Sequence, residues 1–71
     1  MVKYLIIFEK TKTGYSAYVP DLPGCIATAK NRNTVEKKII EAIKFHLDGL
    51  KKENLKIPSP DTDAEKYIFA V

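Results

Sequence analysis

The spacing of apolar residues switches between a period of two and a period of three to four along this chain, and each switch marks an element. Over residues 2–9, Tyr4, Ile6 and Phe8 project to one side, while Lys3, Leu5, Ile7 and Glu9 project to the other. Both sides are apolar in the middle, which suits a central strand covered on two faces. Lys10 to Gly14 supplies a polar turn, with Gly14 available for a positive φ. Residues 15–19 alternate as a second strand that closes a hairpin. Pro20 and Pro23 cannot donate to a ladder, and Pro23-Gly24 suits the centre of a type II turn. Residues 25–29 then form a short third strand.

Asn33-Thr34-Val35-Glu36 resembles a helix start: the Asn33 side chain is placed to accept from a free backbone N–H, and Glu36 to reach back. From 35 to 52, apolar positions 35, 39, 43, 47 and 50, with the amphipathic His46, lie along one helical face. Phe45 falls on the far side, among Lys38, Glu41 and Lys52. Pro58 and Pro60 exclude helix and central strand. An acidic loop follows, and residues 67–71, Tyr-Ile-Phe-Ala-Val, read as a fourth strand. The order is β-β-β-α-β, an α+β class in which a strand reached through a helical crossover lies parallel to a strand of the same sheet.

One helix covers one sheet face. Leu5 and Ile7, joined by Tyr18 if the register permits, therefore form a spare apolar face that calls for a partner. Length points the same way. A chain of 71 residues forms one domain, spanning 1–71, with a marginal core. Its single cysteine, Cys25, allows no internal disulfide, and one histidine with one cysteine cannot make a structural zinc site. Self-association into a homo-oligomer is the expected remedy. With no export signal, no apolar stretch long enough for a membrane span, and a free thiol, the expected location is the cytoplasm.

Charge adds a competing possibility. The net charge is +3 with a sequence pI near 9.0, and residues 30–56 carry eight basic against four acidic groups. That segment suits non-specific phosphate contact by Lys30, Lys37, Lys38, Lys44, Lys51, Lys52 and Lys56, although a single arginine, Arg32, argues against base readout. The simpler expectation is a solvated helix face with four-residue pairs at Lys37–Glu41, Lys44–Asp48 and Asp48–Lys52. Catalytic chemistry finds little support. No nucleotide-loop, nucleophile-elbow or zinc-protease pattern occurs, and no cofactor or metal is called for. Cys25 and His46 read better as a core thiol and a stripe-edge histidine than as a nucleophile and base. Glu9 and Asp21 are the carboxylates to test for remnant hydrolysis.

The run Tyr15-Ser16-Ala17-Tyr18-Val19-Pro20-Asp21-Leu22-Pro23-Gly24-Cys25 resembles the HicB-like antitoxin family, and the resemblance continues through the helix to Ile57-Pro58-Ser59-Pro60. It implies a partial ribonuclease-H-like fold, with the fourth strand beside and parallel to the first. It also implies a non-enzymatic module that binds and neutralises a HicA-type, messenger-RNA-cleaving toxin. Many members add a C-terminal DNA-binding domain; none follows here, so direct DNA binding is not expected. Leu5, Ile7, Tyr18 and Phe45 are the candidate interface residues, and Pro20, Asp21, Leu22, Pro23, Gly24 and Cys25 carry the family motif.

Overall fold

The computed structural model describes residues 1–71 as an antiparallel sheet in the order β1-β2-β3 with one helix packed on it. The strands are β1 (Ile7–Lys10), β2 (Tyr15–Tyr18) and β3 (Ile26–Ala29), and the helix is α1 (Arg32–Lys52). The register pairs Ile7 with Tyr18 and Tyr18 with Ile26, and each ladder keeps its register without a bulge.

β1 is shorter than the apolar pattern of residues 2–9 suggests, and the cause lies in its neighbour. Continuing the register would set Leu5 opposite Pro20, which has no N–H and begins a turn away from the sheet. Tyr4 and Ile6 nevertheless pack with Phe8 on the core cluster, as the alternation predicts. The β1–β2 hairpin closes with the Thr11 amide donating to the Gly14 carbonyl at 2.9 Å. Gly14 does not use a positive φ. It is needed for close approach instead: a Cβ there would collide with the Ala29 carbonyl oxygen and stand 2.8 Å from Lys30 Cα.

The helix starts earlier than the Asn33 pattern suggests. Asn31 is the N-cap, its side-chain oxygen accepting from the Thr34 amide at 2.8 Å. Glu36 does not reach back to the cap but pairs with Arg32 at 2.6 Å, and Arg32 stacks on Phe8 with its guanidinium carbon 3.4 Å from the ring centroid. The other end is a Schellman motif. Asn54 adopts φ 55°, the Asn54 amide donates to the Lys51 carbonyl, and the Leu55 amide donates to the Leu50 carbonyl.

Ala17, Val19, Leu22, Cys25, Val35 and Ile39 form the core, and Ile43 and Leu47 pack at its margin. The helix lies over β2 and β3, so its second half reaches past the short strands. The expected fourth strand is unpaired. Residues 67–71 hold no strand hydrogen bonds, and Tyr67, Ile68, Phe69 and Val71 are exposed. Without a paired neighbour on the far side of β1, these apolar residues project away from the core.

Candidate partner-binding surfaces

Paired residues of an antiparallel ladder share a face. Ile7, Tyr18 and Ile26 therefore run straight across the three strands on the side opposite α1, with Leu5 two residues before Ile7 on the same side. Ile26 is 64% exposed, and Leu5, Ile7 and Tyr18 are half-buried. The next row, Glu9, Ser16 and Thr28, is polar and bounds the apolar stripe. Ile26 joins the stripe in addition to the residues that the strand pattern singles out. Its signal is the alternation with buried Cys25, but a face could be given to it only through the register.

Phe45 does not belong to this stripe. It is 82% exposed on the solvent side of α1, with helix and sheet between it and the Ile7 row. The four candidate residues thus make one cluster of three and one separate aromatic.

The family run builds a latch. The Leu22 amide donates to the Val19 carbonyl and the Cys25 amide to the Leu22 carbonyl, both at 3.1 Å, so two turns share Leu22. Pro20 and Pro23 set the leading φ of each turn, and Gly24 at φ 90° completes the second as type II. The Val19 amide then reaches the Cys25 carbonyl and continues the β2–β3 ladder. Leu22 itself is driven into the core and has no exposed surface. Asp21 points the other way and clasps residue 62, its carboxylate accepting from the Thr62 amide at 3.0 Å and the Thr62 hydroxyl at 2.8 Å. The Tyr4 hydroxyl donates to the Pro58 carbonyl at 2.6 Å. Together these bonds hold the chain after α1 against the start of β1.

One apolar opening lies beside the segment leading into β1 and another beside β1 itself. One, of about 260 Å³, lies between the N-terminal segment and the helix and is lined by Val2, Tyr4, Ile40, Ile43, Lys44 and Leu47. The other, of about 450 Å³, separates Leu5, Ile6, Ile7 and Phe8 from Ala64 and Lys66. Asp63 sits near Lys3–Leu5 and Lys66 near β1, so this returning chain runs in the same direction as β1.

Burial pushes the Cys25 thiol up, which keeps it protonated and unreactive. Burial, with the nearby Asp21 charge adding to it, raises the Tyr4 hydroxyl. No three His, Cys, Asp or Glu side chains converge. The lysine-rich helix face is solvated. Its expected four-residue pairs are not closed, Lys38 donates to the Thr28 carbonyl at 3.1 Å, and Arg32–Glu36 is the one ion pair. The lone arginine is therefore engaged within the fold. No helix is long and apolar enough to cross a membrane.

Sheet, helix and surfaces define a small α+β chain whose most distinctive chemistry is unsatisfied apolar surface. This chain belongs to the family described as HicB_like antitoxin of bacterial toxin-antitoxin system, which matches residues 4–68. It is similar to a UPF0150 protein of Thermoplasma acidophilum, 38% identical over 63 residues that cover 87% of this chain and 91% of that one. A 14.9 kDa protein from the rep-hol intergenic region of Haemophilus phage HP1 is 34% identical over 92% of this chain, which spans 48% of the phage protein. Among solved structures, a chain of the HicA3 and HicB3 toxin-antitoxin complex matches with TM-score 0.66 and 30% identity, covering 89% of this chain and 72% of that one. Family and structural likeness both support a toxin–antitoxin role.

Proposed function

We propose that this chain is a non-enzymatic antitoxin that neutralises a HicA-type toxin in the cytoplasm by direct binding. The observation that carries the proposal is the row Ile7–Tyr18–Ile26 with Leu5, an apolar stripe on the one sheet face that no element covers. With a net charge of +3, attraction to a basic, RNA-binding partner does not come from bulk charge, so desolvation of this stripe supplies the contact. Phe45 is a second, separate anchor on the helix. The fold completes as a partial ribonuclease-H-like sheet in which residues 67–71 form a fourth strand parallel to β1; the same-direction course of residues 62–66 supports this.

Co-expression with the toxin-like product of the neighbouring reading frame tests the proposal. Co-purification and rescue of growth arrest are expected, and Ile26→Asp is expected to abolish both while leaving helix content intact. Absence of binding and of rescue by the unmodified chain would refute it.

A further inference from the structure

The molecule exposes far more surface than its size requires. A folded monomer of 8.0 kDa exposes roughly 4,450 Å², whereas this chain exposes 6092 Å². The excess is about 1,600 Å² per chain, comparable to the total area buried in a standard protein–protein interface. Shape agrees. The radius of gyration is 14.0 Å and the long dimension 49 Å, against roughly 11 Å for the radius of a domain this long. Residues 67–71 account for much of this, since Tyr67, Ile68, Phe69 and Val71 are each at least 75% exposed.

An apolar, β-prone segment without a sheet stands beside a sheet without its last strand. β1 is an edge, with alternate N–H and C=O groups unpaired, one apolar opening on its flank and another beside the segment that leads into it. The two features fit each other in kind, but not within one chain. Residues 64–66, which already run beside Leu5–Phe8, are polar or small, and residues 67–71 stand exposed and unpaired instead of continuing along the β1 edge of their own chain.

We infer that residues 67–71 are an exchanged strand: each chain delivers them to the free β1 edge of a second copy and receives the same segment in return. This rests on the fourth strand proposed above but assigns that strand to the partner. A second copy is the occupant because one chain carries both the donor and the acceptor, so a two-fold dimer satisfies both at once. The latch fixes the hinge. Asp21 holds Thr62 and Tyr4 holds Pro58, so only residues 63–66 need redirect. Side chains from one side of the incoming strand enter the groove between Tyr4 and Ile43–Leu47. Two aromatics at about 150–250 Å² each contribute about 600–1,000 Å² to the reciprocal pair, and Ile68, Val71 and the receiving surfaces bring the interface toward the standard size of about 1,600 Å².

Isotope-filtered NMR on a mixture of labelled and unlabelled full-length chain tests the exchange directly, without toxin. Contacts from residues 67–71 to Ile6–Phe8 are expected between labelled and unlabelled copies, at a sedimentation mass twice 8.0 kDa. Phe69→Asp is expected to yield a helical monomer. A monomer whose residues 67–71 contact its own β1 would overturn the exchange but leave the fourth strand standing. A dimer in which residues 67–71 touch nothing would overturn both. Toxin binding is scored separately by co-purification, so neither outcome depends on it.

Discussion

Leu22→Ala separates the residues that fold the chain from those proposed to meet a partner. Leu22 has no exposed surface and is one of only six buried residues. Its neighbours are locked by two turns and a ladder bond, so the site has little freedom to collapse around a cavity. Truncating a buried leucine in such a site costs about 2.7–5 kcal/mol. A chain of this length has a total stability of roughly 3.5–10 kcal/mol, so the loss is a large share of the whole. With a urea dependence near 1 kcal/mol per molar for so small a protein, the midpoint should fall by about 2.7–5 M or the chain should unfold outright. Urea titration at fixed protein concentration, followed by far-ultraviolet circular dichroism, reads this. Leu22→Val gives a milder, measurable variant. Toxin affinity of the folded fraction is expected to be unchanged, whereas Ile26→Asp shows the reverse pattern of retained stability and lost affinity. A cost below about 1 kcal/mol for Leu22→Ala would refute the core assignment, and lost affinity in a fully folded Leu22→Val would refute the division of labour.

Three further outcomes follow from local geometry. Gly14→Ala drives a methyl group into the Ala29 carbonyl and should cost about 1–3 kcal/mol; a thermal midpoint equal to that of the parent would contradict the close approach. Asn54→Gly relieves the left-handed residue of the helix C-cap and should stabilise by about 0.4–1 kcal/mol, read by the same urea titration, with any destabilisation counting against the motif. Cys25 and Tyr4 both have raised pKa values through burial, with Asp21 contributing at Tyr4, so each keeps its proton in the folded chain where the unfolded chain has lost it. Stability is therefore full below the unfolded values and declines as pH rises through the thiol range and then the tyrosine range. Cys25→Ala should remove the first decline and Tyr4→Phe the second; a pH profile identical in all three proteins would contradict both.

Much of the fold was legible because period and sterics act locally. The two-residue alternation of Tyr4, Ile6 and Phe8 and the helical stripe through Val35, Ile39, Ile43 and Leu47 name their buried faces without any tertiary information. Pro23-Gly24 specifies its own turn. The N-cap was not decided by local rules, because Asn31 and Asn33 both satisfy them. Stacking of Arg32 on Phe8, a contact between distant residues, accompanies the earlier start. Ile26 could be placed on the outer face only by the register with Tyr18, and Asp21 gained a role only when the fold brought Thr62 to it. Phe45 lies off the stripe, as its helical angle implies, but that angle alone does not tell which other surfaces it stands beside.

The proposed exchange and the proposed toxin surface are mechanically joined. A strand added at the β1 edge lengthens the sheet by one column, and its outward side chains extend the row that already runs Ile26, Tyr18, Ile7. Within one copy that row ends at an edge where water reaches Ile7 and Leu5 from the side. With the partner's strand in place it ends one strand further out, and Ile7 gains an apolar neighbour on its open flank. Edge residues that are shielded from water contribute more to an interface than the same residues left wet at a rim. Under the proposed exchange, self-association would prepare the proposed toxin surface as well as stabilise a small core, and the polar row of Glu9, Ser16 and Thr28 would limit the enlarged stripe on its long side. In the proposed dimer, a single segment of five apolar residues that its own chain leaves exposed would serve both the folding and the binding of the second copy.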